Sequence, residues 1–172
     1  MEGCSPQSLH FFFGIVEMKL TIDLLKFQAK LVLQKQEGQA LLYDPIRKKF
    51  LVQTPEEVVR QLFLVYLMDE KGFPKNRLRT EKMLKVNELN KRCDILVYDW
   101  DMHPLLLVEC KSPNIPITEA TLRQVAAYNL PLKVQYLVLT NGLETWCCEL
   151  DFQQTTWQFL PDIPIFPARR SG

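Results

Sequence analysis

The chain of 172 residues is 47% hydrophobic and carries a formal net charge of +1, from 21 basic and 20 acidic residues. This length and composition allow one domain with a real core, and they leave no room in this chain for a second large domain. The near-zero charge excludes the overall basic character of many nucleic-acid-binding proteins, so any contact with nucleic acid must come from local patches.

The two ends of the chain differ from its middle. Residues 1–17 are interpreted as a peripheral extension, with Met18 as an alternative start, because their apolar run lacks the basic region of a signal peptide. No apolar run reaches the about 20 residues that a membrane-spanning helix needs. We therefore expect a cytoplasmic protein without membrane association. It has a single domain over residues 18–160 and a Pro-rich surface tail over residues 161–172.

The five cysteines show no CxxC pair and no histidine at ligand spacing. This pattern excludes a disulfide framework and a zinc site, so reduced thiols are expected. The adjacent Cys147 and Cys148 would point to opposite faces of a strand.

A first helix is predicted from Thr54 to about Gly72. Thr54 can cap it, Pro55 fits its first position, and acidic residues in the first turn complement the helix dipole. Gly72 can end the helix. Short extended segments precede it around residues 30–33, 40–43 and 48–52.

Glu56 borders the apolar stripe of this helix, whereas Glu57 points about 100° away from it. Glu56 is therefore the better candidate for an acidic residue that faces the interior. An acid in the first turn is also explained by the helix dipole alone.

Strands are predicted over residues 76–86, 92–99 and 105–111, and the break at residues 100–104 makes the last two a hairpin. If the turn is centred between residues 101 and 102, Asp94 lies opposite Glu109. Arg92 then lies opposite Lys111, and these four side chains share one face of the sheet.

Two opposed carboxylates need a cation, because directly opposite side chains lie about 4.5–5.5 Å apart and like charges destabilise a sheet. Ligands that offer only oxygen suit Mg²⁺ or Mn²⁺ rather than Zn²⁺. Four apolar residues precede Glu109, which indicates a strand buried on both faces, where charges need partners. The alternative is that the acids are solvated at strand ends and are neutralised by a nearby Lys or Arg.

A second helix is predicted over Glu119 to Asn129, capped by Thr118, and the Asn141-Gly142 pair predicts a hairpin. Strands are expected over residues 133–140, 143–150 and 155–160. The order of helix, three strands, helix and strand implies an α/β sandwich, in which a mixed sheet lies between helices.

Two features are compatible with contact to DNA. Residues 71–92 hold eight basic and only two acidic residues, although such a run is also typical of a solvated face. Gln124 and Tyr128 are four residues apart, so they share a face of the second helix, where the alternative is ordinary surface polarity.

Together these residues resemble the PD-(D/E)XK nuclease superfamily, in the version found at the N-terminus of type I restriction enzyme R (HsdR) subunits. The resemblance covers residues 47–142 and implies a restriction-endonuclease-like fold with a mixed β-sheet flanked by helices. It is carried by four blocks: TPEEVVRQ at 54–61, KRCDILVY at 91–98, VECKSP at 108–113 and LTNG at 139–142.

The resemblance implies a role for each site residue. Asp94, Glu109 and the backbone carbonyl of Cys110 would hold Mg²⁺ or Mn²⁺. Lys111 would orient or deprotonate the attacking water, and Glu56 would complete the site from the first helix.

The resemblance also implies DNA as the substrate. Gln124 and Tyr128 would contact DNA or steady the catalytic lysine, and Arg92 and Arg60 are further candidates for contact with DNA. Cys93 stands where the superfamily name has proline. No GxxxxGK[ST] phosphate loop occurs, so we expect no use of ATP and no translocation of DNA by this chain itself.

Three functional hypotheses follow. The first is a Mg²⁺-dependent DNA endonuclease domain. The second is a catalytically silent module with the nuclease fold that binds DNA or a partner subunit. The third is a structural homo-oligomer that uses the aromatic segment within residues 1–17.

Overall fold

The structure is a computed structural model that describes residues 18–86, 89–154 and 156–169, without the side chains of residues 84–86, 89–91 and 128. The prediction for residues 1–17 lies outside the described residues. Two 3₁₀ helices occur at Leu25–Lys30 and Lys75–Arg77. The strands are β1 (Leu33–Gln36), β2 (Gln39–Asp44), β3 (Lys49–Val52), β4 (Leu78–Val86), β5 (Leu89–Tyr98), β6 (Pro104–Cys110), β7 (Tyr136–Thr140), β8 (Thr145–Asp151) and β9 (Thr156–Phe159), and the α-helices are α1 (Pro55–Asp69) and α2 (Glu119–Asn129).

Six strands form one mixed sheet in the order β4-β5-β6-β7-β8-β9. Only the β6 and β7 pair is parallel among the described strands, and α2 lies between these two strands in the chain, as a parallel connection requires. The remaining strands β1, β2 and β3 form a separate antiparallel sheet. These findings confirm the predicted α/β class, with a mixed sheet flanked by helices.

The two α-helices cover opposite faces of the six-stranded sheet. Side chains of α1, such as Phe63, pack with Ile95 and Leu106 in one buried cluster. Leu122 of α2 packs with Leu96 in the other cluster. Because strand side chains alternate between faces, the continuous apolar runs of the central strands serve both clusters.

Local signals position both helices. The side chain of Thr54 accepts a hydrogen bond from the backbone N–H of Glu57, and α1 begins at Pro55. Thr118 accepts from the backbone N–H of Thr121 at the start of α2. Both predicted caps and the predicted bounds of α2 are confirmed.

The predicted hairpin between β5 and β6 is also confirmed. Ile95 pairs with Val108 and Val97 with Leu106, in the predicted register, and a one-residue shift follows next to Tyr98. The paired region ends beside Asp94. The register therefore brings Asp94 to the level of Glu109, as the sequence predicted.

The small sheet is attached to the large one through Asp44, which is fully buried at the end of β2. One carboxylate oxygen accepts hydrogen bonds from the backbone N–H groups of Ile46 and Arg47, at 2.8 and 2.9 Å. The other accepts from the hydroxyl of Thr80 in β4 at 2.8 Å. Asp44 thus shapes the turn after β2 and places Arg47 near β4.

Several expectations need correction. Lys30 belongs to a 3₁₀ helix rather than to an extended segment. The strand expected from residue 133 begins at Tyr136, because the buried Asn129 side chain bonds both backbone groups of Val134 and holds a loop there. The segment after residue 160 is not only a surface tail, since Ile163 is 1% exposed within the cluster beneath α1.

The predicted state of the cysteines agrees with the structure. Four described cysteines, Cys93, Cys110, Cys147 and Cys148, are free and buried. Cys147 belongs to the cluster beneath α1 and Cys148 to the cluster beneath α2, so they point to opposite faces as expected. Burial raises the pKa of the Cys147 thiol to about 12.

Within the described ranges, no helix has the length and apolar character needed to cross a membrane.

Replacing Leu106, which is fully buried, by alanine should lower the free energy of unfolding by about 2–5 kcal/mol, because it leaves a cavity in the core. Urea unfolding measures this loss. The matched control is Leu143→Ala at a side chain that is 68% exposed, where a change within about 0.5 kcal/mol is expected. Equal losses in the two variants would contradict the position of the core.

Candidate active site

Asp94 is a buried carboxylate in β5, and both of its oxygens have partners. One oxygen accepts from the backbone N–H of Cys110 at 2.7 Å, and the other accepts from Nη1 of Arg60 at 3.0 Å. Burial raises the pKa of Asp94 above its usual range, and the bonds from Cys110 and Arg60 offset this only in part. These two bonds therefore fix the orientation of the Asp94 carboxylate, while burial still favours its protonated form.

Glu109, near the end of β6, is the second acid of the site. Its Oε1 accepts a hydrogen bond from the ammonium of Lys111 at 2.8 Å. Burial and the neighbouring Asp94 carboxylate raise the pKa of Glu109. The structure thus brings Asp94, Glu109 and Lys111 together.

Lys111 follows the last residue of β6, and its backbone N–H donates to the carbonyl of Thr140. Burial lowers the pKa of Lys111, but the hydrogen bond and charge of Glu109, with Asp94 and Glu56, outweigh burial and raise it. Lys111 is therefore an ammonium at neutral pH, held by the carboxylates that it neutralises.

Arg60 of α1 joins three carboxylates. Its Nη1 donates to Glu81 and Asp94, at 3.0 Å in each case, and its Nη2 donates to Glu57. Burial lowers the pKa of Arg60, but these three acids outweigh burial and raise it. The Arg60 side chain is only 6% exposed, so the structure corrects its assignment as a DNA contact and places it inside the protein.

Glu81 was not among the residues that the sequence identified. It lies in β4 with a φ of 48°, between residues that pair with Ile95 and Cys93. Arg47 and Arg92 also bind its carboxylate. Although burial raises the pKa of Glu81, the charges of Arg60, Arg92 and Arg47 lower it below its usual range. In the sequence, the only signal for Glu81 was its position as an acidic residue among the basic residues of the stretch 71–92.

The two acids at the start of α1 occupy different positions. Glu57 is 4% exposed and bonds Arg60 and Gln61, so it is buried more deeply than Glu56, contrary to the expected facing. Its ion pair with Arg60, three residues later in the helix, offsets the energetic cost of burying the Glu57 charge. Glu56 is half-buried, and its charge raises the pKa of Asp94 and of Lys111. Glu56 therefore lies within electrostatic reach of the site.

The other candidate DNA contacts, on α2 and β5, include side chains that are far more exposed to solvent than Arg60. Gln124 is exposed on α2, and the side chain of Tyr128 lies outside the described residues. Arg92 has a 60% exposed side chain whose Nη2 lies 3.5 Å from Glu81. Arg92 thus combines a link to the ion network with access to solvent.

The donor set fits a hard divalent cation. Each oxygen of Asp94 has one protein donor, which leaves lone pairs on both oxygens, and within the described part of the chain Glu109 uses only Oε1. The two carboxylates and the backbone carbonyl of Cys110 offer only oxygen ligands, which Mg²⁺ and Mn²⁺ prefer. Burial is the largest cause of the raised pKa of Asp94 and of Glu109, so both carboxylates are less hydrated than carboxylates at the surface.

A second group of polar side chains, Asp99, Asp101 and His103, lies at the tip of the hairpin between β5 and β6, with ligand atoms within 4.8 Å of one another. Asp99 accepts hydrogen bonds from the backbone N–H groups of Asp101 and His103, at 2.9 and 2.8 Å. The side chain of His103 is 76% exposed. These bonds explain the group as part of the turn.

Comparisons with known proteins relate this chain to the N-terminal region of type I restriction enzyme R proteins. The family described as "Type I restriction enzyme R protein N terminus (HSDR_N)" matches residues 55–164. No curated protein matches the chain. Among solved structures, a fragment assigned as an HsdR subunit of a type I restriction enzyme from Vibrio vulnificus YJ016 is 22% identical, with a TM-score of 0.47. The match covers 64% of this chain and 23% of the HsdR fragment, so this chain spans about a quarter of the length of that fragment.

Replacing Glu109 by glutamine should stabilise the protein at pH 7 in the presence of a chelator, by about 0.5–2 kcal/mol. Glutamine still accepts the bond from Lys111 but removes the charge that burial and Asp94 oppose. Because the pKa of Glu109 is raised in the folded state, the folded protein binds more protons, and its stability falls as pH rises above the ordinary range near 4.5.

Urea unfolding of the variant and the original protein between pH 4 and 8 measures this effect. The advantage of Glu109→Gln should grow as pH rises and should vanish where Glu109 is protonated in both states. Glu37→Gln, at an exposed position between β1 and β2, is the control. A loss of stability in Glu109→Gln at pH 7 would contradict the raised pKa.

Proposed function

Because the chain belongs to the family of type I restriction enzyme R protein N termini, we propose that it is a nuclease domain that hydrolyses phosphodiester bonds in DNA with Mg²⁺ or Mn²⁺. One observation carries the proposal. Asp94 is buried and Glu109 is half-buried, and the charge of Asp94 helps to raise the pKa of Glu109, which binds the ammonium of Lys111. A divalent cation bound there would add positive charge between these two carboxylates.

The metal would be held by Asp94, Glu109 and the Cys110 carbonyl. When bound there, the ion would supply a water of lowered pKa and polarise the phosphate. The bond between the Cys110 N–H and Asp94 fixes the direction of this carboxylate before any substrate arrives. The ligands are therefore preorganised by the hairpin backbone.

Lys111 acts as a cation in this proposal. An ammonium held beside the reacting phosphate would stabilise the negative charge that develops there. Its side chain is 29% exposed, which allows it to reach a phosphate at the surface.

The DNA would lie along the edge strand β4 and the neighbouring β5. Arg92 offers a 60% exposed guanidinium on the face of the sheet that carries Asp94. Arg79 and Lys82 of β4 are exposed, but they pair with Leu96 and Cys93 and therefore lie on the other face. Basic residues on an edge strand also prevent pairing with another sheet, which explains part of this pattern without DNA. Gln124 and Tyr128 on α2 are proposed to contact DNA from the other side of the site.

We expect the domain to work with a partner subunit that supplies further functions, or as a homo-oligomer. The near-neutral charge favours such a partner, because the domain alone lacks a strong overall attraction to DNA.

Purified protein should nick or cut plasmid DNA with Mn²⁺ or Mg²⁺, and Asp94→Ala or Lys111→Ala should lower the rate by at least about 10²-fold, because each removes a charge from the reacting centre. Gel analysis of supercoiled, linear and single-stranded DNA measures cutting. Asp23→Ala and Lys49→Ala, at exposed positions, are the charge-matched controls.

The absence of cutting by folded protein on all three forms of DNA with either metal would contradict the nuclease proposal. Salt-sensitive DNA binding in the same samples, without cutting, would instead support the catalytically silent module. Circular dichroism on every variant ensures that lost activity does not reflect unfolding.

A further inference from the structure

One nitrogen of Arg60 lies between two carboxylates of the site. Its Nη1 is 3.0 Å from an oxygen of Glu81 and 3.0 Å from an oxygen of Asp94. The other end nitrogen, Nη2, bonds Glu57. The guanidinium therefore fills the point at which three acidic side chains from α1, β4 and β5 converge.

Three carboxylates do not converge in a protein interior without positive charge, because like charges repel and buried charges need partners. The side chains of Glu57, Glu81 and Asp94 are 5%, 14% and 12% exposed. Solvent thus contributes little to their neutralisation. The guanidinium of Arg60 supplies positive charge at this point.

The Arg60 guanidinium is fixed at this position. It is anchored by its own helix, is 6% exposed, and binds all three acids at once. Its Nε is buried without a hydrogen-bond partner in the described part of the chain, so the side chain is held by its two end nitrogens alone. Lys111, by contrast, is more exposed and binds Glu109 through one nitrogen.

We propose that Arg60 is a resident cation that occupies a second cation position in the site, formed by Glu57, Glu81 and Asp94. The native protein would then bind one fewer divalent ion than its acidic side chains could hold. Arg60 acts as a positioning residue, because it is buried away from substrate and directs Asp94 toward Glu109. The identity of the remaining ion, held by Asp94 and Glu109, rests on the proposed nuclease function.

The charges of the site support this assignment. Asp94 is shared between the two positions, since one oxygen bonds Arg60 and the other faces the Cys110 backbone at the β6 end. Arg47 and Arg92 neutralise the rest of the Glu81 carboxylate. Removal of Arg60 alone would leave Glu57 and Asp94 with too little positive charge, and an oxygen-only pocket for a hard divalent ion.

The test counts Mn²⁺ ions bound per chain, by isothermal titration calorimetry with electron paramagnetic resonance of free Mn²⁺. Arg60→Ala should bind one more Mn²⁺ than the original protein. Arg60→Lys, which keeps a cation, should match the original count. The double variant Arg60→Ala with Glu81→Gln removes one ligand of the opened position and should also return to the original count.

The difference between variants separates the two proposals. A count of one in the original protein and two in Arg60→Ala supports both. Counts of zero and one support the resident cation and contradict the metal site of the proposed nuclease. An unchanged count in folded Arg60→Ala overturns the resident cation, and a count of one in both proteins does so without affecting the nuclease proposal.

Arg60→Ala leaves buried acids without a partner, so it is expected to be less stable than the original protein. If the variant is unfolded in a chelator, its far-ultraviolet circular dichroism decides the question. Saturating Mn²⁺ should restore the folded spectrum, while Arg60→Lys should be folded without it. Failure of Mn²⁺ to restore Arg60→Ala would overturn the proposal.

Discussion

The guanidinium of Arg60 holds α1 against β4 and β5, because its two end nitrogens bind acids from all three elements. Around it the large sheet presents apolar side chains to α1, which provide most of the stability, whereas the ion network determines alignment. A buried ion pair is weak evidence for stability, but removal of one partner typically costs about 3–5 kcal/mol. The position of Asp94 therefore depends on a contact made by a helix distant in sequence.

The same network extends to the small sheet. Asp44 shapes the turn that brings Arg47 to Glu81, and its other oxygen bonds Thr80 of β4. Arg47 and Arg60 then share the Glu81 carboxylate. The turn after β2 is thus part of the support of the site, although no residue of β1, β2 or β3 belongs to the candidate metal ligands. The small sheet supports the position of β4 and, through it, the position of Asp94.

Sequence reasoning succeeded where local chemistry decides the outcome. Thr54 and Thr118 cap the helices as their positions predict, and the alternation along the hairpin gave the register that aligns Asp94 with Glu109. The role of Glu81 could not be found in this way, because its partner Arg60 is 21 residues away and its side-chain direction depends on a positive φ. Arg60 was assigned to contact with DNA, because the sequence gives no sign of the three acids that surround it in the interior.

The two acids of the candidate site are neutralised in different ways, and this difference determines where a cation can enter. Asp94 is bound to a guanidinium that is 6% exposed, whereas Glu109 is bound to a lysine ammonium that is 29% exposed. Lysine makes a single-point contact on a flexible stem, while arginine holds its geometry through several donors. In the proposed site a cation would therefore enter from the Glu109 side, where the second carboxylate oxygen has no donor within the described residues. The Lys111 ammonium would stay on Glu109 at the more exposed edge of the site, where a phosphate would arrive.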